Sequence, residues 1–196
     1  MEVVPNCQPM IGVPEHPMVL LQQYMNADLP GFALGIEYLG AKYTYIRKVR
    51  GDGNCFYRAF LFAYLDQLLI LKNDSSDPTN AARAETERLR FLRCIVDSKI
   101  ILLDLGYSEI AFETFFDVFM GLIDTLFLKR REDLFSDFQE ECNSNFYTWY
   151  MRLLTAGMIT EKNVHNKIIY QYNAYFSKYE DRSREISPFH RHLGHH

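Results

Sequence analysis

Residues 51–60 read GDGNCFYRAF, and the chemistry of that stretch organises the rest of the chain. Gly51, Asp52, Gly53 and Asn54 form a turn-prone run, because glycine reaches backbone angles closed to other residues and Asn and Asp bond their own backbone. From Cys55 onward Phe56, Ala59, Phe60, Ala63 and Tyr64 recur at helical spacing. The pattern predicts a helix starting at Asn54 or Cys55, with the thiol at its N-terminus. A cysteine nucleophile works as its thiolate. Helix N-terminal amides favour a negative charge, and an adjacent imidazole favours it further. Inward-pointing amides of the GDGN turn, with that of Cys55, form a candidate oxyanion hole. Asp52 is the residue to order this loop, and Asn54 to cap the helix or hold the loop. A Gly-Asn turn before a helix with an ordinary cysteine is equally legal.

The totals bound the alternatives. The chain has 196 residues, 48% of them hydrophobic and 15% aromatic, enough for one domain with a core and too apolar for disorder throughout. The formal net charge is -4, with no long basic run, so nucleic acid is not an expected partner. No segment approaches the roughly 18 uncharged apolar residues of a membrane span. The N-terminus lacks the basic start and apolar core of a secretory signal. A cytoplasmic or nuclear location is the simplest expectation. Cys7, Cys55, Cys94 and Cys142 are far apart, which argues against a zinc site or a disulfide framework. Cys94 and Cys142 read as ordinary helix residues.

Residues 1–17 hold Pro5, Pro9, Pro14 and Pro17 and read as an extended or flexible leader. A helix is predicted around Val19–Asn26, broken by Pro30-Gly31. Residues 42–49 read as a short strand or extended lead-in. Asp77-Pro78 reads as a helix start with the acid as cap. Leu89, Leu92, Val96, Ile100 and Leu103 form one stripe of the helix that follows, and Gly106 its C-cap. Phe112, Phe115, Phe116, Phe119, Met120 and Ile123 line a further helix. Residues 131–142 form another amphipathic segment. Phe146, Trp149, Tyr150, Leu153 and Leu154 line one more, closed by Gly157. Val164–Tyr179 can continue as helix. Residues 180–196 are a polar tail carrying four of the six histidines. Most of the chain is legible as helix and strands are scarce.

A longer stretch, YTYIRKVRGDGNCFYRAF at 43–60, closely resembles the nucleophile region of the otubains, OTU-type cysteine proteases that remove ubiquitin. FYTWYMRLLTAGMI at 146–159 is similar to an otubain segment of the form Y-x-x-Y-x-R-L-L-T-S-G. The resemblance covers roughly residues 18–170. It implies an α+β, papain-type fold, helix-rich here, with most of the C-terminal sheet missing, and a partial OTU domain over 18–179. It implies Cys55 as nucleophile, Asp52 as the acid of the same loop, and Gly53 and Asn54 as the rest of the oxyanion loop. The implied reaction is hydrolysis of the isopeptide bond between ubiquitin and lysine through a Cys55 thioester. No metal or organic cofactor is implied. The implied partners are ubiquitin or polyubiquitin, with ubiquitin-conjugating enzymes beside them.

The resemblance also implies a general-base histidine on a late strand, in a G-H-Y-D-like motif. The sequence has no such motif. His16 lies in the leader, His165 at the start of a predicted helix, and His190, His192, His195 and His196 in the tail. The identity of the base is therefore open. Without a base, hydrolases of this kind keep only a residual ~10³–10⁴-fold advantage over water. The alternative is a non-catalytic binder of ubiquitin or of a ubiquitin-conjugating enzyme.

Overall fold

A central helix, α3 (Cys55–Asn73), organises the molecule. Its Leu61, Phe62, Leu65, Leu68 and Leu69 are buried, at positions that recur every three to four residues and so share one face. Burying each such leucine contributes about 1.5–3 kcal/mol. The computed structural model describes residues 8–26 and 30–160. Before α3 come α1 (Val19–Asn26), a single 3-10 turn at Pro30–Phe32 and α2 (Ala33–Lys42). After it come α4 (Asn80–Asp104), α5 (Glu109–Asp124), α6 (Arg131–Gln139) and α7 (Glu141–Thr160), with a 3-10 turn at Leu126–Leu128 before α6. Helices α4, α6 and α7 pack against α3, and α5 lies between α4 and α7. Their shared core is aromatic. Phe119 stands edge-on to Phe91 and Tyr147, and Phe138 stands edge-on to Phe62.

The helix ends follow local chemistry, with some departures from expectation. Gly106 takes φ +85°. Its N–H donates to Leu103 O at 2.9 Å and that of Tyr107 to Leu102 O at 3.0 Å, which is a Schellman C-cap. Asp77 does not cap α4. Its Oδ1 accepts from the Thr79 N–H and hydroxyl, both at 2.8 Å. The aspartate thus closes a turn of its own, and α4 starts at Asn80. The expected stripe of α4 is also corrected. Asn80, Ala84, Ile95, Ser98 and Leu102 are the buried positions, while Val96, Ile100 and Leu103 are exposed. Leu92 of the expected stripe does pack on the core, but from residue 95 onward the neighbours bury the adjacent stripe. Gly157 does not end α7, which runs on to Thr160. A Cβ at Gly157 would sit 2.8 Å from Leu102 Cδ2, so this glycine serves close packing of α7 on α4. Cys94 and Cys142 are helical as expected, but exposed.

Residues 11–16 run extended, and 10–15 are anchored by backbone bonds. Gly12 N donates to Lys48 O at 2.7 Å, and Glu15 and Ile46 exchange backbone bonds at 2.9 and 2.8 Å. These form antiparallel bridges Ile11–Val49 and Glu15–Ile46. Met10 and Ile11 are buried, and Gln139 of α6 bonds both of their backbones. The lead-in over 42–49 therefore has β pairing at two points, and among the described residues this is all the sheet there is. The predictions for residues 164–179 and for the tail fall outside the described residues.

Candidate active site

Cys55 is the first residue of α3 and is exposed. The first four N–H groups of a helix have no intrahelical acceptor, so the thiol sits among unbonded donors of its own first turn. Phe56, the next residue, is 72% exposed. The GDGN turn delivers the chain to this point. Gly53 takes φ +81°, a conformation natural only to glycine. The Asn54 N–H donates to Asp52 Oδ1 at 2.9 Å, closing an Asx turn. Asn54 stands at the N-cap position, but its side chain makes no capping bond. Its Oδ1 lies 3.4 Å from Arg152 Nη1 instead.

Asp52 is held by Arg58. The two guanidinium nitrogens Nη1 and Nη2 reach its two oxygens at 2.9 Å each, a bidentate fork. Arg58 has 0% relative exposure, so each of its donors needs a partner. Nε donates to Ser144 Oγ at 2.8 Å and Nη2 also to Asn145 Oδ1 at 3.2 Å. Both acceptors belong to α7. Burial pushes the Asp52 carboxyl up, but the hydrogen bonds from Arg58 and the Asn54 amide, with the Arg58 charge, outweigh it and hold the carboxyl below its ordinary value. Asp52 therefore stays ionised and the loop stays tied to α3 and α7. A third tie comes from Arg152 of α7, whose Nη1 donates to Gly53 O at 2.9 Å.

The structure brings Asp52, Gly53, Asn54 and Cys55 together as one loop, and adds Arg58 and Arg152, which the sequence reading did not select. The signal for Arg58 was present. It falls on the same face as Leu61, Phe62 and Leu65, and a cation on a core face requires partners. Arg152 carried no local signal beyond its place in the 146–159 motif. Among the described histidines there is only His16, exposed, with Nδ1 accepting from the Met18 N–H at 3.3 Å. His165, His190, His192, His195 and His196 lie outside the described residues. Among the described residues, no group of three or more His, Cys, Asp or Glu is placed to hold a metal ion, and no helix is long and apolar enough to cross a membrane.

The family model for Peptidase C65 Otubain matches residues 5–181. The chain belongs to the otubain family. Human ubiquitin thioesterase OTUB1 is 36% identical over 146 residues, covering 74% of this chain and 49% of that protein. The Arabidopsis thaliana ovarian tumor domain-containing deubiquitinating enzyme 1 is 31% identical over 156 residues, 77% of this chain and 47% of its own length. The chain thus spans about half the length of these curated otubain relatives. Among solved structures, that of h/ceOTUB1-ubiquitin aldehyde-UBCH5B~Ub superposes with a TM-score of 0.67 at 22% identity, covering 79% of this chain and 56% of that one. A ceOTUB1 ubiquitin aldehyde UBC13~Ub complex gives the same TM-score, with 58% of that chain covered. The described residues accordingly share the fold of these OTUB1 structures over a little more than half of those chains.

Proposed function

We propose that this chain carries the nucleophile half of a ubiquitin isopeptidase site, with Cys55 attacking the carbonyl at the ubiquitin C-terminus. The observation that carries the reading is the loop itself. An exposed thiol heads α3, and the turn before it is locked by a buried arginine through Asp52. In the first step a C–S bond forms and the carbonyl electron pair moves to oxygen. First-turn amides of α3, that of Cys55 among them, are placed to meet this negative charge. Collapse expels the lysine amine, which takes up a proton, and leaves a thioester. Water then adds, and ubiquitin leaves with a free carboxylate and the thiol is restored. Asp52, Gly53 and Asn54 act by holding the loop rather than by touching the proton. Proton transfer calls for a histidine, and the family resemblance assigns that role to a residue late in the domain.

A second reading is binding without cleavage. The solved complexes that share this fold hold ubiquitin aldehyde together with UBCH5B~Ub or UBC13~Ub, and their likeness extends over 79% of this chain. On that reading the same helical surface engages ubiquitin or a ubiquitin-carrying conjugating enzyme with no bond broken. The two are separated by incubating folded protein with lysine-linked di-ubiquitin, beside Cys55→Ala. Cleavage that the substitution abolishes supports the isopeptidase. Ubiquitin binding without cleavage, unchanged by the substitution, supports the binder.

A further inference from the structure

The Gly53–Asn54 peptide lies immediately before the one that carries the Cys55 N–H, and its orientation decides on which side of the loop the Gly53 carbonyl and the Asn54 N–H stand. Glycine at position 53 has no Cβ of its own to hold this peptide in one of its two orientations. Two bonds select one of them. Arg152 Nη1 donates to its carbonyl oxygen at 2.9 Å, and its N–H, on Asn54, donates to Asp52 Oδ1 at 2.9 Å. The group is thus gripped at both ends, from α7 on one side and from the Asp52–Arg58 pair on the other. Turning it over would break both bonds and bring the carbonyl towards the Asp52 carboxylate. With the peptide fixed, Asn54 takes φ -107° and ψ 0°, and the next N–H, that of Cys55, is aimed along the axis of α3.

We infer that Arg152 is a positioning residue for the nucleophile loop: it holds the Gly53 carbonyl away from the thiol so that loop and helix amides face the developing oxyanion. This rests on the isopeptidase reading for its purpose, though not for its geometry. The lever is stiff. Helix α7 is fixed to α4 by the Ser98–Tyr150 hydroxyl pair at 2.7 Å, and to α3 through Arg58, Ser144 and Asn145. Arg152 itself is exposed, so its removal strands no buried charge and the fold tolerates the change. It is 99 positions from Gly53 in the chain, which is why no local reading of the GDGN turn reveals it.

The test compares wild type, Arg152→Ala and Arg152→Lys by two readouts that need no turnover. The first is amide hydrogen exchange at Asn54 by NMR. The second is the affinity for ubiquitin aldehyde, whose tetrahedral adduct with a thiol places an oxygen where the oxyanion would form. Non-covalent ubiquitin binding and the rate of Cys55 alkylation by iodoacetamide serve as references. The alanine variant is expected to speed Asn54 exchange about tenfold and to weaken the aldehyde adduct about tenfold. The references should stay within about twofold. Lysine, which still offers a donor, is expected to restore both to within about threefold. If alanine leaves Asn54 exchange and the adduct within twofold of wild type, the positioning role is overturned. A wild type that forms no adduct overturns the isopeptidase reading, and the exchange rate at Asn54 then decides the role of Arg152 alone.

Discussion

Replacing Arg58 by methionine tests the lock on the nucleophile loop most sharply. Methionine keeps much of the aliphatic volume and removes the guanidinium. Lost with it are the two bonds to Asp52, the bond to Ser144 and the bond to Asn145. Breaking a buried pair from one side costs about 3–5 kcal/mol. Here the lower end applies, because the Asp52 side chain is 25% exposed and recovers water, while only Ser144 is left fully enclosed. The expected loss is about 3 kcal/mol. Urea unfolding followed by circular dichroism at 222 nm reads it directly. With a slope of about 2 kcal/mol per molar urea, the midpoint should fall by about 1.5 M. Adding Asp52→Asn to Arg58→Met should cost less than the sum of the two single changes, since both act on one interaction. A loss below about 1 kcal/mol for Arg58→Met would refute the reasoning, because it would mean that the buried guanidinium is not holding the loop.

Three further outcomes follow from the same geometry. Asp52→Asn should show its largest destabilisation near neutral pH. A carboxyl held below its ordinary value contributes stability above its unfolded pKa and loses it as pH falls. Thermal midpoints of wild type and variant should therefore run parallel above about pH 5 and converge as pH falls below about 4. Gly53→Ala should destabilise by about 1–2 kcal/mol, because φ is +81° there and nothing else crowds the site. Gly157→Ala gains about 1 kcal/mol of helix propensity. It nevertheless forces a Cβ to 2.8 Å from Leu102, itself fully buried, at a cost of about 1–3 kcal/mol. A lowered melting temperature is expected, and a raised one would show that α7 can shift away from α4.

Helical periodicity and turn chemistry made much of this molecule readable in advance. Val19–Asn26 and the start of α3 at Cys55 match their expected limits, because an apolar repeat and a GDGN turn are local signals. The errors arose where a tertiary contact overrides a local one. Gly157 has the composition of a helix stop, yet it lies under Leu102 and the helix passes through it. Val96, Ile100 and Leu103 form a good apolar stripe, but α3, α5 and α7 pack on the stripe that holds Ile95 and Leu102. In the described part of the leader, residues 11–16 run extended. Its anchoring depends on Lys48 and Gln139, far away in sequence. At the site, the loop was legible because its residues are contiguous. Arg58 and Arg152 were missed because their meaning lies in acceptors on other elements, Ser144 and Asn145 for one and the Gly53 carbonyl for the other.

The central claim is that the GDGN loop presents Cys55 for attack at the ubiquitin C-terminus. It is tested most directly by intact-mass analysis after incubation with ubiquitin bearing a C-terminal propargylamide, an electrophile that traps a nucleophilic cysteine without any need for turnover. The account predicts one added ubiquitin, mapped to Cys55 by peptide sequencing and absent from Cys55→Ala, with Cys94 and Cys142 unmodified. A folded wild type that stays unmodified, or that is labelled equally at Cys94 or Cys142, would contradict it.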